Sequence, residues 1–279
     1  VLPERRVRRL AYPREICQNR RVVDLNRIDQ AHMTKVFVHG VPETAAIWGP
    51  LVAELAILGV DDVVTLSPPG FGSPVPADWE ATPGAYVDWL ASEIELLGGP
   101  VDLLGHDWGA GHVIGLAASR PDLVNSWAID IAGLIHADYQ WHDMAMAFQT
   151  PDVGEELVGA MAGMATPELA ASYTDLGMDS GIALAMAAAL DTDMADCILR
   201  LYRAAAQPYL RDMGDRIVDA TRRPSLIVDA TADPYVSSSL TPGVAARLNS
   251  SVLPLEGKGH WWMLEAPTEA AKGLSAFWR

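Results

Sequence analysis

The chain has 279 residues, half of them hydrophobic and 20% charged, with a formal net charge of −16. That is enough apolar sequence for one well-filled domain, and the acidic balance excludes nucleic acid and anionic membranes as natural partners, because phosphate binding needs clustered Lys and Arg. No apolar run approaches the roughly 20 residues of a membrane span, and two cysteines, Cys17 and Cys197, are too few for a disulfide framework, so a reducing cytoplasm is the expected compartment.

Residues 1–32 stand apart in charge, with Arg5, Arg6, Arg8, Arg9, Arg14, Arg20, Arg21 and Arg27 crowded before Met33. They read as a basic N-terminal extension foreign to the folded protein, with MTKVFVHG as its natural start; a basic recruitment arm is the alternative. VLPERRVRRL lacks the apolar stretch of a secretory signal.

From Met33 to Gly133, short β-rich runs alternate with helical stretches. VFVHG (36–40), DVVTLSPPG (62–70), VDLLGHD (101–107) and SWAIDIAG (126–133) are the predicted strands, continuous apolar runs that suit burial on both faces. IWGPLVAELAILG and PGAYVDWLASEIELLGG carry apolar residues at helical spacing with glycines behind them, and GHVIGLAASRPDLV reads as a helix stopped by Pro121. Such alternation predicts a parallel sheet with right-handed crossovers. Residues 134–215 break the rhythm: they are Ala- and Met-rich and predict several short helices. Eight of the ten methionines fall there (Met144, Met146, Met161, Met164, Met178, Met186, Met194 and Met213); they read either as filler for a helical core or as the adaptable apolar face of a lid. Strands return at PSLIVDATADPYV (224–236) and SSVLPLEGKGH (250–260), before a C-terminal helix, PTEAAKGLSAFWR. The expected architecture is therefore an α/β core, residues 33–133 and 216–279, with a mostly parallel central sheet flanked by helices and an inserted helical lid at 134–215.

Three polar residues fall where parallel strands end: Asp107 in GHDWGAG, Asp233 after SLIVDATA, and His260 after VLPLEGKG. Loops at the carboxyl ends of strands converge on one edge, so the three can meet. Nucleophile, acid, then His is the chain order of a hydrolase triad in which a G-x-S-x-G turn presents the first member, with Asp here in place of Ser. No His pair at i, i+4 occurs on any candidate helix, so no metal is expected.

From Met33 onward, HGVP (39–42), SPPGFGSP (67–74), GHDWGAG (105–111), ADP (232–234) and GKGH (257–260) resemble the α/β-hydrolase superfamily, and within it the epoxide hydrolase and haloalkane dehalogenase group that uses an aspartate nucleophile. The resemblance implies that Asp107 attacks saturated carbon to form an ester, that His260 activates the water that hydrolyses it, and that Asp233 orients His260, with Asp130 of SWAID as the rival acid. It further implies that the backbone N–H groups of Trp108 and Val41 form the oxyanion hole. CILRLYRAAAQ (197–207) resembles a late lid helix of epoxide hydrolases, making Tyr202 the acid for the leaving oxygen. HDMAMAFQTPDVGEEL (142–157) resembles their lid entrance, but Met144 stands where a second tyrosine is expected, leaving Tyr139, Trp141 or His142 as substitutes. Trp141 is also the candidate for a second halide-binding indole, beside Trp108. His39, Trp108, Trp141, Met144, Phe148 and Trp261 are the expected substrate-binding residues. The substrate is expected to be a small apolar epoxide, with a haloalkane or haloacid as the alternative, and no cofactor is implied. A ligand-binding member of the superfamily with little turnover is the third reading, since fold alone does not establish function.

Overall fold

The computed structural model describes residues 33–220 and 222–279; the expectations for residues 1–32, including the basic extension and Cys17, lie outside them. Six strands form one sheet: β1 (Lys35–Val38), β2 (Val63–Leu66), β3 (Val101–Gly105), β4 (Val124–Ile129), β5 (Ser225–Ala230) and β6 (Ser251–Leu255). Their order is β2-β1-β3-β4-β5-β6 and every neighbouring pair is parallel. Four fall within the predicted runs; β1 begins at Lys35, one residue early, and β4 at Val124, two residues early. The central strands β1 and β3 are buried along their whole length, as continuous apolar runs require when helices cover both faces.

The helices of the first half are α1 (Gly49–Ile57), α2 (Pro83–Leu97) and α3 (Trp108–Ser119). α2 shows why the local sequence suffices. The Thr82 side chain accepts from the Ala85 N–H, Pro83 fills the first position, and Gly98 ends the helix at φ +98°, a left-handed turn that glycine enters without strain. α3 is apolar nearly all round, and nine of its twelve residues are buried; it runs beneath α2 against the sheet.

Residues 143–204 supply α4 (Asp143–Gln149), α5 (Val153–Gly163), α6 (Thr166–Asp175), α7 (Ser180–Ala189) and α8 (Thr192–Ala204). In α8 the Asp191 side chain caps the Met194 N–H; Met194, Cys197, Ile198, Leu201 and Tyr202 are buried on one face, while Asp193, Asp196 and Arg200 face water. That spacing is an amphipathic helix. Then come α9 (Tyr209–Asp219), α10 (Thr241–Leu248), α11 (Trp262–Glu265) and α12 (Pro267–Phe277).

The expected lid boundary at residue 215 falls within α9. α9 lies on α3, and Leu210, Met213 and Ile217 join the core cluster that holds Val113, Leu116 and Trp127. It belongs to the helical layer on the sheet, and the inserted segment ends before it. The methionines also need revision. Met178, Met186, Met194 and Met213 are buried as filler, while Met144, Met146 and Met164 are exposed. None of the eight lines the cavity over Asp107.

Candidate active site

Asp107 sits between β3 and α3 at φ +50°, ψ −123°. A branched-free but bulky L-residue held there is strained, and glycines make the turn feasible: a Cβ on Gly109 would come within 2.0 Å of the Val38 carbonyl oxygen, and one on Gly40 within 2.2 Å of Asp107 Oδ1. The turn lifts the carboxylate onto the edge where the other strands end. The Val41 N–H, after β1, donates to Asp107 Oδ1 at 3.0 Å. Trp108 opens α3, so its N–H is not used by the helix ladder and remains available beside Val41.

His260, after β6, is buried; its Nδ1 lies 2.8 Å from Asp233 Oδ2, after β5, and its Nε2 lies 3.9 Å from Asp107 Oδ2. Asp233 is itself fixed, accepting at Oδ1 from the Tyr235 and Val236 N–H groups at 2.7 and 3.2 Å. Burial pushes the Asp107 carboxyl up, with the His260 charge opposing. Burial and the neighbouring His106 push His260 down, but Asp233 and then Asp107 outweigh them and leave it above its ordinary 6.5. Asp233 goes the other way: burial would raise it, and its bond to His260 and that charge hold it low.

Asp130 does not touch His260. Its Oδ1 accepts the Asp107 backbone N–H at 3.0 Å, and its Oδ2 accepts the Trp262 indole N–H at 2.6 Å and faces His106 Nδ1. Asp130 therefore anchors the turn from behind. Ile131, next in the chain, takes φ +39°, an outlier for a β-branched residue.

Behind the three lies a buried ionic group that the sequence reading passed over. His106 Nε2 meets Glu43 Oε1 at 3.0 Å, the Trp261 indole donates to the same oxygen at 2.6 Å, and the Gly40 N–H donates to Glu43 Oε2 at 3.0 Å. Burial lowers His106, yet Asp130 and Glu43 together lift it well above the usual range, while burial of Glu43 is overcome by His106 and the other histidines and its carboxyl falls to about 2. His106 is thus held toward its charged form between two carboxylates, with its ring 4.6 Å from that of His260. The signals were in the quoted motifs: a His directly before Asp107 in GHD, and an acid directly after HGVP. Both look like loop residues until the fold buries them. Glu43, His106 and His260 bring donor atoms within 4.8 Å of one another, but the arrangement does not suit a metal ion. Both His106 nitrogens are already committed to carboxylates, and a cation would have to displace its proton from between them.

Over Asp107 lies a narrow, mostly apolar cavity of about 20 Å³. Trp108, Gly111, Ile131, Leu134, Tyr139, Trp141, His142, Tyr202, Leu210, Tyr235 and Val236 line it with Asp107. Trp108 and Trp141 are among the expected binding residues and are there; four others are not. His39 is fully buried beneath, its Nε2 3.0 Å from Ser67 Oγ and its Nδ1 2.9 Å from the Gly40 carbonyl oxygen; burial lowers it to about 4, so it is neutral and shapes the loop. Met144 is 43% exposed on the outer side of α4. Phe148 is buried behind Tyr202, ring centroids 5.1 Å apart, and Trp261 is turned to Glu43. His39, Phe148 and Trp261 are engaged elsewhere, and Met144 faces solvent.

Against this geometry, the Alpha/beta hydrolase family matches residues 36–272. Among curated proteins, (E)-2-((N-methylformamido)methylene)succinate hydrolase of Acinetobacter baylyi is 34% identical over 95 residues, 34% of this chain and 35% of that protein, so the match spans about a third of that relative. Haloalkane dehalogenase from Bradyrhizobium elkani has a similar structure, with a TM-score of 0.68 at 21% identity over 90% of this chain and 92% of the other. E-2-(acetamidomethylene)succinate hydrolase is similar at 0.64 and 22%, over 88% and 91%. At those identities the likeness concerns the fold.

Proposed function

The chain belongs to the Alpha/beta hydrolase family, and from that premise we propose that it opens epoxides to vicinal diols through a covalent ester on Asp107. The observation that carries the reading is that the Asp107 carboxylate, on its strained turn, and the Tyr202 phenol line one cavity. A carboxylate is a weak acyl-transfer nucleophile but attacks strained saturated carbon directly, without a base to activate it. The ring oxygen then leaves as an alkoxide, which requires a proton donor within reach.

The steps balance as follows. Asp107 Oδ2 forms a bond to the epoxide carbon, the ring C–O bond breaks toward oxygen, and the Tyr202 hydroxyl supplies the proton. A water in the space between Asp107 and His260 then attacks Cγ of the ester and passes a proton to Nε2. Negative charge gathers on Oδ1, where the Val41 N–H already donates, with the Trp108 N–H beside it. The intermediate collapses, the His260 proton goes to the departing alcohol, and the carboxyl proton returns to the Tyr202 phenolate. The sum is epoxide plus water to diol.

A second reading, dehalogenation, is favoured by one observation: the Trp141 indole N–H is buried in the cavity wall with no partner among the described residues, and an unpaired N–H suits a departing halide. Incubation with styrene oxide, and separately with 1-bromobutane, while following diol and bromide separates the two. Diol from the epoxide is expected; bromide without diol would replace the first reading with the second, and neither product would favour a ligand-binding protein.

The choice of acid has its own test. Asp233→Asn removes the charge that supports His260, and turnover is expected to fall by roughly 10³–10⁴-fold. Asp130→Asn is expected to cost stability, because it unbalances His106 and the Trp262 contact, while leaving His260 on Asp233. If steady-state assays find ester hydrolysis abolished by Asp130→Asn and untouched by Asp233→Asn, the two roles are exchanged.

A further inference from the structure

Two runs of rings meet at the cavity over Asp107. Tyr202, Trp108, Trp141 and Tyr139 form the first, with successive centroids 5.3, 6.0 and 5.5 Å apart, and it includes the proposed acid for the leaving oxygen. The second is His260, Tyr235 and His142, at 4.8 and 4.9 Å. His142 is the member whose chemistry the mechanism leaves unused. It is the N-cap residue of α4, and its Nδ1 accepts the Ala145 N–H at 3.3 Å. A backbone N–H can only donate, so Nδ1 offers its lone pair and the ring proton sits on Nε2. Burial, and then the His260 charge, push His142 below its ordinary 6.5 and toward the neutral form, against the pull of Asp233 and Asp143. Among the described residues no group accepts the Nε2 proton, and His142 lines the cavity. The cap thus commits one nitrogen to the backbone of α4 and leaves one donor of fixed tautomer on the far edge of the ring.

We propose that His142 determines specificity by donating its Nε2–H to a neutral oxygen on the substrate's substituent, so that the preferred substrates are small epoxides with an ether or alcohol oxygen one carbon from the ring. The inference rests on the epoxide reading above. In that reading the epoxide oxygen goes to Tyr202, whereas the His142 ring packs on Tyr235 and through it on His260. Its donor therefore serves a part of the substrate that does not react. A carboxylate or phosphate there would stand beside the carboxylates of Asp107 and Asp233, which repel it. A neutral donor in a mostly apolar cavity meets a neutral oxygen with no charge to desolvate. The same donor selects against plain alkyl substituents. They strip water from Nε2–H and return no acceptor, which is how a hydrogen-bonding site rejects an analogue that lacks the polar atom. No covalent step changes: His142 keeps its proton throughout, and the bonds made and broken are those at Asp107, Tyr202 and His260.

Methyl glycidyl ether and 1,2-epoxypentane test it, because they differ by an oxygen in place of one methylene. The quantity compared is the ratio of kcat/KM for the ether over the alkyl epoxide, in the parent protein and in each variant, so that the inherent reactivity of the two epoxides cancels. His142→Asn keeps an acceptor for the Ala145 N–H, since Asn is among the best N-cap residues, but is too short to place a donor where Nε2 stands. It is expected to lower the ratio by about five- to tenfold, the worth of one neutral hydrogen bond, with 1,2-epoxypentane turned over at close to the parent rate. Tyr235→Phe keeps the ring packed on His260 and is expected to keep the parent ratio. An unchanged ratio in His142→Asn overturns the inference, as does an equal loss on both substrates, which would leave His142 as a cap for α4 alone. A larger fall in Tyr235→Phe than in His142→Asn overturns it by moving the donor to Tyr235. A parent protein that opens neither epoxide overturns the functional reading itself, and this assignment with it; a parent that opens both, beside a His142→Asn protein with the parent ratio, overturns this assignment alone.

Discussion

Replacing His260 with Gln is expected to stop the reaction at the ester, so that Asp107 accumulates one equivalent of alkyl adduct while diol output falls by roughly 10⁴-fold or more. The reason is the division of labour that the proposed aspartate nucleophile imposes. With serine at the turn, the histidine must take a proton before any bond forms. Asp107 carries no proton to remove once ionised, and His260 Nε2 stands 3.9 Å from Asp107 Oδ2, a separation that leaves the imidazole free to serve an intervening water. Removing the imidazole therefore spares the first step and disables the second. Peptide mass spectrometry after incubation with styrene oxide should find the added mass on the fragment containing Asp107. Turnover lost with no adduct would mean that His260 acts before the ester forms, and the two-step scheme would fail.

The pH dependence follows with a definite sign. His260 takes a proton from water only when neutral, and in the resting protein Asp233 and Asp107 hold its pKa above 6.5. Esterification cancels the Asp107 charge, one of the influences raising it, so His260 in the ester titrates at lower pH than in the resting protein. The decay of the ester should lose rate, as pH falls, at a pH below the His260 titration observed by NMR in the unreacted protein. A decay limb at or above that titration would show that the Asp107 charge does not reach His260.

The sequence carried the parts of this site that sit on the backbone pattern. Apolar runs bounded by Gly, Pro or Asp fix six strands, and a parallel sheet sends every strand end to one edge, so Asp107, Asp233 and His260 could be brought together by order alone. The acid could be singled out only in three dimensions. Asp130 and Asp233 both follow strands, and what separates them is that Asp130 turns under the elbow to accept the Asp107 N–H while Asp233 turns toward His260. Glu43 and His106 were hidden for a different reason. Their type signals surface loops, and only burial against each other and Trp261 turns them into a fixed ion pair. The lid was least legible because amphipathic spacing tells which face is buried but not against what. Met144 and Phe148 are four residues apart on one short helix, yet one faces solvent and the other packs behind Tyr202.

Asp107→Ala should abolish adduct and turnover together, a loss of roughly 10⁴–10⁶-fold, and should leave the protein at least as stable as the parent at neutral pH. The second half follows from the carboxyl's own environment. Burial raises the Asp107 pKa in the folded state, so at pH values above it the folded protein carries a charge that the unfolded chain solvates better. The same residue holds φ at +50°, a conformation that costs on the order of 1–3 kcal/mol and that Ala must also bear. The change therefore removes the charge burden while keeping the backbone strain, and any gain in stability should fade as pH falls and the parent's carboxyl becomes protonated. The lost acceptor for the Val41 N–H works against the gain, but truncation to Ala leaves space beside the cavity in which a water can replace Oδ1. Thermal unfolding at neutral and acidic pH, read beside single-turnover alkylation, checks both halves. A residue kept for the fold would lower the melting temperature when removed; one kept for chemistry, at the fold's expense, would not. An inactive Asp107→Ala protein that also unfolds early, with its deficit unchanged by pH, would assign Asp107 to the scaffold and leave the nucleophile to be sought elsewhere.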